Sequence, residues 1–527
     1  MNMLRKVKKD GASPLLYGEV LICLLLCIFS FLTSCSWGGN ESSDESQPAT
    51  TKNTVTIGIS SDVSTFDPFV DTLSNSHIVQ YCIYQPLWQA EEDGTYTPIL
   101  AEEWNWTDDI HLEVTLREGV TFSNGNSFTA DDVVFSYERA MAGAFSQYFN
   151  KISEIQVTDD THLTFVFSSV DATFMTYMGS SASFAILDRE TLEDDSYELD
   201  KSPIGTGPYI LAEWDEGERI VLQRNENYWG DAAVIENVIF LVVEDAEQRC
   251  IKLQTGDVDY AFELDYIDAI SMDENDFSVD AMLSTMVIDL MFNSDADHKL
   301  ADETLRQAIA FCIDREILVE SLYGSSVLPA WSLVSPASIG YNEDLEGYEP
   351  YPQDFEKARD CLRKAGYSDG ITLNLVYGDS DYWNDVVEIL QNWFGQAGIT
   401  LNIRQSDYND ALSYVLDRSN AWDIYLVGNG AATAPLVMSW WEESQGAPFA
   451  IFEDEGIFSL LEQVYQTTDE SRQIELCNEA QKYMADHVGA YSLSVPYVCQ
   501  GGTASLKGVI THPSEGGFLE VEKMYFE

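Results

Sequence analysis

The chain has 527 residues, 89 of them Asp or Glu and 27 Lys or Arg, for a formal net charge of −62. A surface of that sign repels phosphate backbones and excludes nucleic acid as a partner. Hydrophobic content of 45% suits a globular chain, and the length exceeds the roughly 100–200 residues that one core usually holds, so two or three lobes are expected.

The first element in the chain is a targeting signal. Arg5, Lys6, Lys8 and Lys9 precede an apolar run from Val20 to Leu32. That run suits a signal-peptide core and falls short of the ~20 apolar residues a membrane span needs. It ends in Leu32-Thr33-Ser34-Cys35, which resembles the lipobox of bacterial lipoproteins. The resemblance implies removal of residues 1–34 and a lipid on the Cys35 sulfur, holding the protein to the outer face of the cytoplasmic membrane. Residues 35–53 are rich in Ser, Gly, Asn, Glu and Asp. They cannot bury enough apolar surface to offset their chain entropy, so they read as a flexible tether. No second long apolar run follows, and the body is not expected to cross the membrane.

Residues 55–59 alternate as a strand does, and residues 60–68 read as a loop. Leu112, Val114 and Leu116, then Leu163, Phe165 and Phe167, give two half-buried strands. Between them Thr129 and Asp132 form a capping-box pair opening a helix with Val133, Val134, Tyr137 and Met141 on its buried stripe. Residues 303–323 read as one helix and 355–365 as another, stopped by Gly366. A βαβαβ alternation follows: strand 371–377, helix 384–397, strand 399–404, helix 408–416 and strand 423–427. That order predicts an α/β fold with parallel strands covered by helices. Beyond Cys35, the cysteines Cys82, Cys250, Cys312, Cys361, Cys477 and Cys499 lie far apart without CxxC spacing. They are expected to be buried structural thiols, although disulfides are chemically open to an exported chain.

Residues 100–141, LAEEWNWTDDIHLEVTLREGVTFSNGNSFTADDVVFSYERAM, closely resemble the signature of the family 5 extracellular solute-binding proteins, the peptide- and nickel-binding receptors of ABC importers. Further blocks keep the order of that family: Thr65-Phe66-Asp67-Pro68, PIGTGPY at 203–209, Arg224 to Gly230, LQTGDVD at 253–259, LRQAIAFCIDRE at 305–316 and ARDCLRKAGY at 358–367. The glycines of Gly205-Thr206-Gly207-Pro208 suit a tight turn. They do not suit a phosphate loop, because Pro208 lacks a donor N–H. Arg117 and Asp132 are expected to serve the fold.

The resemblance implies a two-lobed clamp of the type II periplasmic-binding-protein kind. Lobe I would comprise residues 54–91, 203–296 and 494–527, a subdomain at 92–202 would be inserted in it, and lobe II would span 297–493. Strands near Met291-Phe292-Asn293 and residues 493–498 would cross between the lobes. A solute in the cleft would favour closure, and membrane permease subunits would read the closed, monomeric receptor.

No catalytic constellation stands out. The six histidines show no HExxH spacing, and neither GxSxG nor GxxxxGK[ST] occurs, so no enzyme activity, metal or cofactor is expected. Gly428-Asn429-Gly430-Ala431-Ala432 echoes a nucleotide loop but lacks its third glycine, and reads as a cleft-edge turn. Ligands in open α/β sheets bind beyond the carboxyl ends of the strands. The candidate solute-binding residues are therefore Asn429, Gly430, Trp440 and Trp441 after one strand and Tyr377 and Trp383 after another. Thr72 and Ser74 join them, in a segment that aligns with one that pairs with a bound peptide backbone in the family. Peptide-binding members place an Asp in the loop after the 423–427 strand for the peptide ammonium, and dipeptide receptors an Arg after the strand ending at Tyr377. This chain has GNGAATAPLVMSWW and GDSDYWNDVVE there. Either another carboxylate, Glu442 or Asp379, takes the Asp role, or the solute is not a free short peptide but an oligosaccharide, a nickel chelate or another molecule. A peptide-signal receptor is a further alternative.

Overall fold

The structure, a computed structural model, describes residues 52–527 apart from 71–73, 92–94, 144–145, 172, 180–183, 195, 323, 379–380, 418–420, 442–451, 453, 468 and 513–517. The signal segment, Cys35, most of the tether, Thr72, Asp379 and Glu442 lie outside the described residues. None of the described helices is long and apolar enough to cross a membrane.

The large sheet has twelve strands among the described residues. In chain order these are β1 (Thr54–Ile59), β2 (Tyr209–Asp215), β3 (Arg219–Arg224), β4 (Asn237–Val242), β5 (Tyr260–Leu264), β6 (Phe277–Leu283), β7 (Met286–Phe292), β8 (Val327–Pro329), β9 (Ile371–Gly378), β10 (Ile399–Ser406), β11 (Ile424–Gly430) and β12 (Ala490–Thr503). Their lateral order is β10-β9-β11-β7-β12-β5-β1-β4-β3-β2, with β6 and β8 also pairing β12. β9 runs parallel to β10 and to β11, as the βαβαβ alternation predicts.

The two ends of this sheet meet along β12. Residues 490–494 of β12 pair with β7, residues 494–496 with β8, and residues 497–503 with β6. β7 pairs along its whole length with β11. The chain therefore changes sides at Ser284-Thr285, before β7 begins, and not at the Met291-Phe292-Asn293 segment at its end. At this crossing the Ser284 N–H donates to the Pro496 carbonyl at 2.9 Å.

The C-terminal half of the sheet is buried on both faces, as strands covered by helices must be. Leu290, Leu375 and Leu426 pack in one core cluster, and their sequence neighbours Met291, Val376 and Val427 belong to another. Each fully buried leucine contributes about 1.5–3 kcal/mol. The helix expected over 303–323 is broken into Glu303–Ala310 and Arg315–Leu322. The Asp314 carboxylate accepts the Ile317 N–H at 2.9 Å and so caps a new start.

A separate four-stranded antiparallel sheet is formed by Ala101–Asp108, His111–Leu116, Ile152–Asp159 and His162–Phe167. Leu112, Val114, Leu116, Leu163, Phe165 and Phe167 are its buried row. The helix Ala130–Met141 packs on it, and the Asp132 carboxylate accepts the Thr129 N–H at 2.8 Å and the Arg189 N–H at 3.0 Å. Arg117 donates to the Ile99 carbonyl at 2.9 Å, with its guanidinium 4.8 Å from the Trp229 ring centre. Both signature residues thus hold the scaffold. The glycines of the PIGTGPY block do so as well: a Cβ on Gly205 would lie 2.0 Å from the Ile83 carbonyl oxygen and one on Gly207 2.6 Å from that of Cys82. That closeness lets Gly207 and Tyr209 donate to those backbone carbonyls at 2.9 and 3.0 Å.

Cys82, Cys250, Cys312, Cys361, Cys477 and Cys499 are all free and buried. Burial pushes the Cys312 and Cys477 thiols up to about 12 and Cys499 to about 11. Since the thiolate is the nucleophile, iodoacetamide at pH 8 is expected to leave these six thiols unmodified in the folded protein and to alkylate them all in urea. Mass spectrometry of the intact chain reads the result, and rapid alkylation of the folded protein would contradict this packing.

Candidate binding site

The parallel strands β9 and β11 end side by side, and the candidate residues sort themselves around those ends. Tyr377, near the end of β9, is buried in the core, and its hydroxyl donates to Asn384 Oδ1 at 2.7 Å. Asn384 Oδ1 also accepts from Gln405 Nε2 at 3.1 Å, so Tyr377 ties β9 and β10 to the helix Asp381–Ala397. Trp383, on the first turn of that helix, packs against both large core clusters. Ser74 opens the helix Ser74–Tyr81. The structure brings Asn429, Gly430, Trp440 and Trp441 together on one segment and leaves Tyr377 in the opposite core cluster.

Gly430 is needed for the pairing of β11 with β7, because a Cβ there would lie 2.4 Å from Met286 Cα. After it the chain is held from outside the sheet. The Ser338 hydroxyl donates to the Ala431 carbonyl at 2.7 Å, and Ile339 exchanges backbone hydrogen bonds with Ala432 and Ala434 at 2.9 and 2.7 Å. Thr433, in extended conformation, precedes the short helix Ala434–Ser439, where Pro435 sits in the first turn without leaving a needed donor missing. The Tyr465 hydroxyl donates to the Pro435 carbonyl at 3.0 Å. Trp440 is half-buried and Trp441 buried, both against the larger core cluster.

Three side chains that the sequence reading did not single out gather here, one of which, Tyr177, meets this segment directly. The Tyr177 hydroxyl lies 2.6 Å from Ser439 Oγ, and its ring centre lies 4.4 Å from that of Tyr148. Lys151 places its ammonium 5.5 Å from the Tyr465 ring centre. Tyr148, Lys151 and Tyr177 belong to the part of the chain carrying the four-stranded sheet. Tyr177 and Ser439 are 262 residues apart, a separation at which local periodicity carries no signal.

Beneath the segment lies a buried carboxylate. Asp289, on β7, accepts from Ser492 Oγ of β12 at 2.7 Å and from Asn429 Nδ2 of β11 at 3.3 Å. It therefore joins three adjacent strands, one of which carries a candidate site residue. Burial raises its carboxyl from the ordinary 3.8 to about 7, against the lowering influence of Ser492, Asn429 and the Arg315 charge. Arg315 is itself held between the Tyr491 and Trp331 rings, 4.3 and 4.8 Å from their centres, with Glu349 Oε2 at 3.5 Å. Among the described residues, no group of three or more His, Cys, Asp or Glu side chains is arranged to hold a metal ion.

A carboxyl whose pKa rises on folding binds a proton in the folded chain that the unfolded chain has lost. Stability therefore falls as pH rises from about 3.8 to about 7 and is level on either side of that window. The contribution of Asp289 to that fall is up to about 4 kcal/mol. Asp289→Asn keeps an acceptor for Ser492 and has no proton to lose. Urea unfolding between pH 4.5 and 8 is expected to show the variant gaining on the native chain across the window, with the difference constant above pH 8. A pH-independent difference would refute the assignment.

The profile described as bacterial extracellular solute-binding proteins, family 5 middle, matches residues 95–447. The glutathione-binding protein GsiB of Salmonella paratyphi A is 25% identical over 497 residues, covering 91% of this chain and 96% of that protein. Among solved structures, the ABC transporter-associated periplasmic binding protein DppA from Helicobacter pylori, in complex with the peptide STSA, matches with a TM-score of 0.76 at 22% identity over 90% of this chain and 98% of that one. AgaA from A. tumefaciens R10, in complex with agropinic acid, matches with a TM-score of 0.78 at 21% identity over 90% and 99%. The fold is thus the α/β, two-lobed clamp of the periplasmic binding proteins.

Proposed function

The chain belongs to the bacterial extracellular solute-binding proteins of family 5, and from that premise we propose that it captures peptides between two lobes and delivers them to the permease of an ABC importer. The observation that carries this reading is the division of the large sheet into two halves that share β12 and the short crossing at Ser284-Thr285. Two bodies joined by two adjacent strands can rotate about them, and a solute touching both bodies stabilises the shut arrangement. In this reading lobe I comprises residues 54–91, 203–284 and 497–527, with residues 92–202 inserted, and lobe II residues 285–496, the boundary expected at 296/297 moving back to the crossing at Ser284-Thr285. Asn429, Gly430 and Trp440 offer backbone and ring surfaces to the solute, with Trp383, Thr72, Ser74 and Glu442 completing its surroundings, while the buried Trp441 and Tyr377 lie behind them in the core. Residues 1–34 are removed, and lipid on Cys35 anchors the receptor outside the cytoplasmic membrane. Its task is capture, not catalysis.

A second reading keeps the clamp and changes the solute. It is favoured by the GNGAATAPLVMSWW loop, which offers no carboxylate to a peptide ammonium, and it accords with the agropinic acid bound in AgaA. Native mass spectrometry of the mature protein, purified without denaturation from its host, separates the two. The expected result is adduct masses that resolve into peptides on fragmentation. Adducts that are sugar, opine-like or metal chelate, with no peptide among them, would replace the first reading by the second.

A further inference from the structure

We propose that Tyr177 and Ser439 are positioning residues for solute capture: their hydroxyl–hydroxyl bond latches the segment of residues 92–202 onto the loop that follows β11. The inference rests on the clamp reading above and assigns to the inserted segment a direct part in closure.

The two hydroxyls belong to opposite halves of the molecule, and each is fixed by its own half. Helix Phe174–Gly179 packs on the strand Trp88–Ala90, and Trp88 Nε1 donates to the Met175 carbonyl at 2.8 Å. A Cβ on Gly179 would lie 2.6 Å from the Ala90 nitrogen, a measure of how closely the two segments approach. Ser439 ends the helix Ala434–Ser439, which is held by Ile339, Ser338 and Tyr465 on the C-terminal side. Neither group reaches across on a flexible arm, so their 2.6 Å contact reports the relative placement of the two halves.

The direction of the bond follows from proton counting. The single Ser439 hydroxyl proton is donated to the Leu436 carbonyl at 2.7 Å. Ser439 Oγ must then accept, and Tyr177 donates. Both residues are buried, Tyr177 at 8% and Ser439 at 4% exposure, where a hydroxyl bond is worth more than at a wet surface. Tyr177→Phe keeps the ring and its tilted contact with Tyr148 and leaves the Ser439 proton satisfied, while removing the crossing bond. Lys151 over Tyr465 is a second contact between the same two parts, and its ammonium also lies 3.9 Å from Asp171.

The test measures closure without a solute. Spin labels on Glu113→Cys and Glu388→Cys, exposed positions on the four-stranded sheet and on the helix Asp381–Ala397, report the interlobe distance in the mature, lipidated protein, whose six cysteines other than the lipid-bearing Cys35 are buried. Pulsed electron–electron resonance is expected to show a shorter and a longer population. Tyr177→Phe and Ser439→Ala should each raise the longer-to-shorter ratio about fivefold, the order expected of one neutral hydrogen bond. The double variant should go no further, and Ser439→Thr should restore the native ratio. Two populations in unchanged proportion in all variants would overturn the latch and leave the clamp standing. One fixed distance, insensitive both to the substitutions and to a digest of mixed peptides, would overturn latch and clamp together.

Discussion

Strand β12 is the element on which the rest of the architecture depends. Its fourteen residues serve both halves of the large sheet, pairing first with β7 and β8 and then with β6 and β5. Pro496 sits where the partners change. Its fixed φ and missing N–H make it a poor member of a continuous ladder and a tolerable one at a change of partner. Its carbonyl still accepts the Ser284 N–H, so the two crossing segments are bonded to each other at the crossing. Ser284 in turn offers its carbonyl to the Ser335 hydroxyl at 2.5 Å. The crossing is thus narrow but not loose, which is the property a pivot requires: a defined axis with few covalent connections.

Two buried carboxylates among the described residues of the C-terminal half are treated in opposite ways. Asp423, at the foot of β11, is subject to burial that would raise its carboxyl, but His298, the Asn374 amide and Lys299 outweigh burial and lower it. His298 Nε2 and Lys299 Nζ both lie 2.9 Å from it. It is a structural ion site that fixes where β11 starts. Asp289, beside the other end of β11, has only neutral hydrogen-bond donors, and its charge is the more costly. The strand is pinned firmly at its start and by a protonation-sensitive junction near its end, the end that leads into the 431–441 segment.

What was legible in the sequence was whatever depends on local spacing. The alternation of Leu112, Val114 and Leu116, the Thr129–Asp132 cap and the βαβαβ order are periodic or nearest-neighbour facts, and the structure reproduces them. The break at Asp314 was hidden because Leu305, Ile309, Ile313 and Ile317 keep helical spacing straight through it. The restart turns the backbone, so that Ile317 is exposed and Leu318 takes the core position beside Leu305, Ile309 and Ile313. Trp441 and Tyr377 were proposed from their place after a strand, and that position alone does not distinguish a ring facing a solute from one facing the core. Both are buried. Asp289 and Tyr177 carried no local mark at all. One is a single acid in an apolar strand among 89 acidic residues and the other one of 27 tyrosines, and each acquires meaning only through partners more than a hundred residues away.

The composition of the site and that of the whole chain point in different directions, and the difference is informative. With a net charge of −62 the outer surface attracts cations from any side, yet the end of β11 and the described part of the loop after it hold Asn429, small residues, the half-buried Trp440 and the buried Trp441, with no ionised group. Long-range attraction of that kind is screened beyond about 8–10 Å in physiological salt, so it hastens encounter without selecting among cationic solutes. Selection must come from groups close to the solute. In the site as proposed, those in this segment would be backbone amides and the Trp440 face, which recognise extended amide or ring surfaces better than they recognise a lone charge. A receptor built that way would tolerate varied side chains, because most of its contacts would be to features that all such solutes share.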